Sequence, residues 1–225
     1  MKTIGIIGAM PSELVDIREL LGKGELDSQS AFEFHINYMN DKRIVSVCCG
    51  IGKVNAAVCT QTLISLYNAD CIINAGIAGG MDEKVKVCDI VISKDVMHHD
   101  LLSRFLDNYP PFNSSFKADE KLIEIAESSC KSHSYNSFTE RIVSGEMFIS
   151  DNELKARIKK EFNPYAVDME SSAVGHCAFL NKIPFVTIRC ISDNADDEGE
   201  MSFEQFEKIA AKRVSDVAYS ILKSI

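Results

Sequence analysis

Residues 184–196 read PFVTIRCISDNAD. From Val186 to Ile191 the run is largely apolar and β-branched, which suits a strand buried on both faces. Strands of that kind belong to parallel sheets with helices on each side. Arg189 interrupts the run, and Ser192 and Asp193 stand at its carboxyl end. Ligands of open α/β sheets bind at the carboxyl ends of the strands. An Asp buried there has its pKa raised, because desolvation disfavours the anion. Such an acid can hold a proton near neutrality and donate it, so Asp193 is the leading candidate for a general acid.

Outward from this strand, apolar runs predict further strands over 3–8, 32–38, 43–49, 71–75, 89–93 and 141–144, with 185–191 as the last. Helical patterning falls on 13–21, 54–67, 119–131, 152–161, 170–181 and 202–223. The last helix carries Phe203, Phe206, Ala210, Val214, Val217 and Ile221 in one apolar stripe. Ser202 and Gln205 have the spacing of a capping box at its start. Alternating strands and helices predict a largely parallel sheet covered on both faces, a three-layer α/β/α sandwich. Asn40-Asp41 between two strands predicts a hairpin, so the sheet is expected to be mixed. The stretch 98–116, with Pro110-Pro111 and Asn113-Ser114-Ser115, has no clean period and reads as a binding loop or an interface.

A chain of 225 residues, 46% apolar, fits one domain over 1–225 with a full core. The net charge of −9 argues against nucleic acid and against an anionic membrane surface. No apolar run reaches the roughly 18 residues of a membrane helix. The opening MKTIGIIGAMPSE reads as a first core strand and not as a leader. Eight cysteines, at 48, 49, 59, 71, 88, 130, 177 and 190, form no C-x-x-C pair and mostly sit in apolar segments. They read as free thiols in a reducing compartment, hence a cytoplasmic protein, and not as a zinc site.

Several short segments could carry chemistry. In GIIGAMPSE (5–13), Gly8 and Ala9 allow close approach of a ligand, and Glu13 lies in the first turn of a helix. Glu13 faces a ligand there, or merely complements the helix dipole. The G-x-G-x-x-G spacing of a dinucleotide site is absent. GIGKVNAA (50–57) and NAGIAGG (74–80) are small-residue turns that cradle a sugar or an anion, or else pack strand tightly to helix. The adjacent histidines of HHD (98–100) point to opposite faces of a strand and would not share a metal. In VSGEMFIS (143–150), Phe148 stacks on a planar ligand or joins the core. In AVDMESSAVGH (166–176), strand alternation sends Asp168 and Glu170 one way and Met169 the other. These acids begin a solvated helix, or accept hydrogen bonds from vicinal hydroxyls.

Taken in order, IGIIGAM-x-SE, GIGKVNAA, NAGIAGG, DIVIS, HHD, FKAD, IVSGEMFI, VDMES, ISDNAD and SFEQF span nearly the whole chain. This ordered set resembles the 5′-methylthioadenosine/S-adenosylhomocysteine nucleosidases of the nucleoside phosphorylase-like family. The resemblance implies a single α/β/α domain, usually a homodimer, with no cofactor and no metal. It implies hydrolysis of the adenine–ribose bond of a small nucleoside thioether, and of 5′-deoxyadenosine. By resemblance, Asp193 protonates the purine at N7 with Ser192 orienting it, and Glu13 activates the attacking water. Phe148 stacks on adenine and the Ile149 backbone reads its edge. Glu170 holds the ribose hydroxyls, Met169 packs on the sugar, and Arg189 is the counter-charge to Glu13 and Glu170. Met10, Ile51 and an aromatic such as Phe105 line the 5′-thio pocket, closed by the loop around Pro110 of the same or a neighbouring subunit. One departure stands out: Ile77 occupies a position where such relatives commonly carry a small hydroxyl residue. The competing readings are a purine nucleoside phosphorylase, a nucleosidase for another 6-amino nucleoside, and a non-catalytic nucleoside-binding protein.

Overall fold

The computed structural model describes residues 2–195 and 199–225, the side chains of 199–204 excepted. Ten strands of the described residues form one mixed sheet. β1 (Lys2–Gly8) lies between β4 (Lys42–Cys48) and β5 (Cys71–Gly80), parallel to both. β3 (Phe32–Met39) and β2 (Glu25–Gln29) extend that edge antiparallel, and the expected hairpin turns at Asn40, which takes φ 54°.

On the other side the sheet closes on itself. β5 pairs parallel with β10 (Phe185–Asp193), and β10 pairs antiparallel with β6 (Ile90–His98). β6 continues to β8 (Ser137–Ser144), β8 to β9 (Ala166–Asp168), and β9 returns to the end of β5 at Gly79 and Gly80. β5 is therefore edged by β1 and β10 at its start and by β10 and β9 at its end. All ten of its residues are buried. The two-residue β7 (Phe116–Lys117) adds to β6.

Helices cover both faces, as the strand–helix alternation predicts. α1 (Ser12–Leu21), α4 (Glu120–Ser132) and α7 (Gly199–Ser224) pack together on one face. α2 (Lys53–Ser65) and α6 (Ser171–Asn181) pack together on the other. α3 (Ser103–Asn108) and α5 (Asn152–Phe162) complete the set. The apolar stripe of α7 is buried at Ala210, Val214, Val217 and Ile221. α7 begins before Ser202, so the cap expected there is not the start of the helix. The Ser202 and Phe203 side chains lie outside the described residues. The 98–116 stretch is more regular than its sequence reads, for it holds α3, a cis Pro110-Pro111 bond and the start of β7.

α6 sits close against the sheet because Gly175 has no side chain. A Cβ there would lie 2.4 Å from Val96 Cγ2 and 2.7 Å from Phe185 Cζ. Gly175→Ala is expected to destabilise by about 1–2 kcal/mol net, overpacking outweighing the gain in helix propensity. Chemical denaturation measures it, and an unchanged or raised midpoint would contradict the close approach.

Candidate active site

The strand ends converge on one cavity of ≈ 400 Å³. The turn after β1 brings Ala9 and Met10, the first turn of α1 brings Glu13, and the turn after β4 brings Ile51. β5 contributes Ile77, Ala78 and Gly79, while β10 contributes Ser192 and Asp193. Phe148 comes from the loop after β8, and Asp168, Met169 and Glu170 come from the junction of β9 and α6. All of these are carboxyl ends of strands, where ligands of α/β sheets bind; β1, β4, β5 and β10 run parallel to one another, while β9 runs antiparallel to β5.

Glu13 is held by backbone. Its Oε2 accepts the N–H groups of Ala9 at 2.6 Å and Met10 at 2.8 Å, and its Oε1 accepts that of Ile77 at 2.9 Å. The carboxylate thus ties the first glycine turn to β5. It does so across Gly76, where a Cβ would lie 2.5 Å from Glu13 Oε1 and 2.8 Å from Arg189 Nη1. Burial raises the Glu13 pKa, with Arg189 and the three N–H donors pulling against it. A base held above the ordinary carboxylate range is better matched to neutral pH.

Arg189 is only 2% exposed, a cation in the middle of the sheet. Its Nε donates to Asp168 Oδ2 at 2.6 Å and its Nη2 to Asn74 Oδ1 at 2.7 Å. Arg189 is a counter-charge to Glu13 and Glu170, as the resemblance implies, but its direct carboxylate contact is a third acid. It is ion-paired with Asp168, and acts on the other two carboxylates through space. Burial alone would lower the Arg189 pKa, but the charges of Asp168, Glu13 and Glu170 outweigh it and raise it.

Asp168 is the residue that sequence reasoning left open. Besides Arg189 it accepts Ser144 Oγ at 2.5 Å, Ser171 Oγ, and the Glu170 and Ser171 amides at 3.3 and 3.2 Å. A buried Arg demands a counter-ion, and this was the available signal. Strand alternation misled at Met169, which lines the cavity together with both acids. β9 ends at Asp168 and α6 starts at Ser171, so 169 and 170 form a turn and not a strand. Glu170 is 6% exposed and accepts the Gly52 N–H at 2.9 Å. Burial, and then the neighbouring Asp168, push its pKa up to about 7.

Asp193 is 1% exposed. Its Oδ2 accepts the Ser192 hydroxyl at 2.8 Å and its Oδ1 accepts the Ala195 amide at 2.7 Å. Phe148 is half-exposed at the rim. Ile149 is buried and lines a smaller adjoining cavity with Phe148, Met169 and Asp193. Phe105 does not line the cavity of its own chain, contrary to expectation. α3 turns Leu106 inward, and its neighbour Phe105 is left 47% exposed, because successive helical residues point about 100° apart. His98 turns to Ser172 and His176 on α6, while His99 lies against Gly145. Among the described residues no group of three or more His, Cys, Asp or Glu is placed to hold a metal ion.

The Arg189–Asp168 pair makes a stability prediction. Asp168→Ala leaves a buried guanidinium without its counter-ion, and should cost roughly 3–5 kcal/mol. Adding Arg189→Met to that variant should recover part of the loss. Urea unfolding of the single and double variants checks this, and a double variant less stable than Asp168→Ala would refute it.

The sequence profile of the phosphorylase superfamily matches residues 3–223. The chain is 36% identical, over 98% of its length and 99% of the relative's, to a 5′-methylthioadenosine/S-adenosylhomocysteine nucleosidase of Staphylococcus haemolyticus (strain JCSC1435). The solved nucleosidase of Neisseria meningitidis, in complex with methylthio-immucillin-A, superposes with a TM-score of 0.95 at 36% identity over the whole of both chains. The native futalosine hydrolase of Helicobacter pylori strain 26695 superposes with a TM-score of 0.94 at 28% identity, over 100% of this chain and 98% of that one. With a superfamily profile over almost its full length and a 36% identical nucleosidase matched end to end, this chain belongs to the phosphorylase superfamily and, within it, to the 5′-methylthioadenosine/S-adenosylhomocysteine nucleosidases.

Proposed function

We propose that the chain hydrolyses the bond between adenine and ribose in 5′-methylthioadenosine and S-adenosylhomocysteine, and in 5′-deoxyadenosine. The observation that carries this reading is the 36% identity, end to end, with a curated nucleosidase of that name. A futalosine hydrolase shares the fold almost as closely, so the fold by itself does not choose the substrate.

The cavity supports a division of labour. Asp193, held by Ser192 and Ala195, delivers a proton to the purine N7, so that adenine leaves as a neutral base. Phe148 at the rim stacks on the base, and the backbone of the buried Ile149 reads its edge. As the C1′–N9 bond breaks, positive charge grows on the ribose, as in other glycoside hydrolysis. Glu170 accepts hydrogen bonds from the ribose hydroxyls, with Met169 packed on the sugar. Glu13 takes a proton from the attacking water, whose oxygen bonds to C1′. Met10 and Ile51 line the side of the 5′-thio group. Arg189, ion-paired with Asp168, offsets the charge of Glu13 and Glu170 through space. A carboxylate at the face where the nucleophile enters repels phosphate, which favours water over phosphorolysis.

The rim bears an apolar face. Lys53 Nζ lies 2.6 Å from Asp100 Oδ1, and the residues that follow each of them in the chain, Val54, Leu101 and Leu102, are exposed. Phe105, Tyr109 and Phe112 are exposed in the same segment. We assign this face to a second copy of the chain, with α3 of one copy closing the 5′ side of the other's cavity. No described helix is long and apolar enough to cross a membrane, and all eight cysteines are free thiols, which fits a reducing cytoplasm.

Adenine release from each thioether, with and without phosphate, is the direct assay. Release is expected in both conditions at equal rates, and no release from any of them would sink the proposal. Asp193→Asn and Glu13→Gln should each lower kcat by about 10²–10⁴-fold. Burial raises the pKa of both Glu13 and Glu170, that of Glu170 to about 7, so each takes up its proton at a higher pH than an ordinary carboxylate does. The kcat/KM profile should accordingly fall on its acid limb with an apparent pKa well above 4.5. Ile77→Ser should leave activity present but change kcat or KM, since Ile77 lines the cavity beside the Glu13 contact. Light scattering of the purified protein is expected to give the mass of two chains, and Phe105→Ala to raise KM for the thioethers. A monomer with full activity would remove α3 from the site.

A further inference from the structure

Two adjacent amides at the start of α2 are divided between two carboxylates. The Gly52 N–H goes to Glu170 Oε1 at 2.9 Å, and the Lys53 N–H goes to Glu146 Oε1 at 3.1 Å. Gly52 takes φ 101°, and a Cβ there would lie 2.9 Å from Glu146 Oε2. A bare backbone at 52 thus leaves room for the Glu146 carboxylate at the helix N-terminus. The first amides of a helix have no partner within it and carry the positive end of its dipole, so each bond is charge-assisted.

The same residues close a ring. Lys53 Nζ pairs with Asp100 Oδ1 at 2.6 Å, and Asp100 Oδ2 accepts the Glu146 N–H at 3.0 Å. Asp100 sits just past the end of β6, and Glu146 just past the end of β8. The loop that leaves β8 is therefore gripped at its first residues from two sides. Gly145 N donates to Asp168 O at 3.2 Å, Glu146 is tied to Asp100 and α2, and Phe148 follows two residues later. One end of the ring addresses Glu170, on the sugar side, and the other addresses Phe148, on the base side.

We propose that Lys53, Asp100 and Glu146 form a positioning clamp, which sets the base-stacking loop of Phe148 in register with the ribose-binding Glu170 across the N-terminus of α2. None of the three is among the residues lining the cavity. The clamp rests on the nucleosidase reading of the cavity. Its role is to fix the distance between the two subsites before substrate arrives, so the ordering cost is not met at binding.

The test is competitive inhibition by adenine, together with KM and kcat for 5′-methylthioadenosine, in Lys53→Met, Asp100→Asn, the double variant, Glu146→Ala and Glu146→Gln. Loss of one charge-assisted bond should raise the adenine inhibition constant and KM by about tenfold, with kcat changed much less. The double variant should be no worse than either single one, since both break one ring. Glu146→Gln keeps an acceptor for the Lys53 amide and should stay within about twofold of the unaltered chain, whereas Glu146→Ala should not. Glu146 is exposed, so this pair of variants gives the contrast even where Asp100→Asn lowers the folded fraction. A ring that only braces the fold would lower the melting temperature and leave the adenine constant where it was. That result, or additive losses in the double variant, overturns the clamp alone. An unaltered chain that neither binds nor releases adenine overturns the nucleosidase reading and the clamp with it.

Discussion

A guanidinium buried in the centre of a sheet is the constraint on which this structure depends. Arg189 lies on β10, the strand that pairs with β5 over most of its length. Taking such an ion out of water costs several kcal/mol unless its charge and its donors are met. They are met by Asp168 from β9 and Asn74 from β5, so three strands are bound to one side chain. The closure of β5, β10, β6, β8 and β9 into a ring places β9 where Asp168 can reach. Ser144 and Ser171 then occupy the remaining lone pairs of Asp168, as a buried carboxylate requires.

The cation in turn permits a concentration of negative charge that would otherwise be unstable. Glu13, Asp168 and Glu170 are all buried around it. Glu13 is additionally pinned by three backbone amides, and Glu170 by the amide of Gly52. These groups are oriented before any substrate arrives. Electrostatic stabilisation of a cationic transition state is strongest when the dipoles and charges need not reorganise. Gly76 belongs to the same design, since it leaves the space in which Glu13 and Arg189 approach one another across β5.

The elements most legible in the sequence were those with long apolar patterns. The strands predicted over 71–75 and 89–93 mark only the beginnings of longer ones, Cys71–Gly80 and Ile90–His98, because glycines and charged residues further along hide the continuation. β2 was not read at all. It is an edge strand of mostly exposed polar residues, Glu25–Gln29, and carries no apolar alternation. β9 shows in the sequence only as a strand-like approach to Asp168 whose extent stays open, because three buried residues are too few to show a period. In the site, Glu13, Glu170, Ser192 and Asp193 were legible because each stands at a strand-to-helix passage. Asp168 is visible but ambiguous in the sequence, and the direction in which Phe105 points is not legible there, because a six-residue helix shows no face.

The sequence alone determined the α/β class, the mixed sheet, the family resemblance and the candidate acids. These follow from local properties: periodicity, the chemistry of turns, and the order of short segments along the chain. Tertiary structure alone decided the partner of Arg189, the closing of the sheet, and the division of the α2 amides between Glu146 and Glu170. Asp168 and Arg189 are 21 residues apart in sequence, and Gly52 and Glu170 are separated by 118. Which carboxylate meets which donor is set by strand register and by the space a missing side chain leaves, and neither is a property of any single segment.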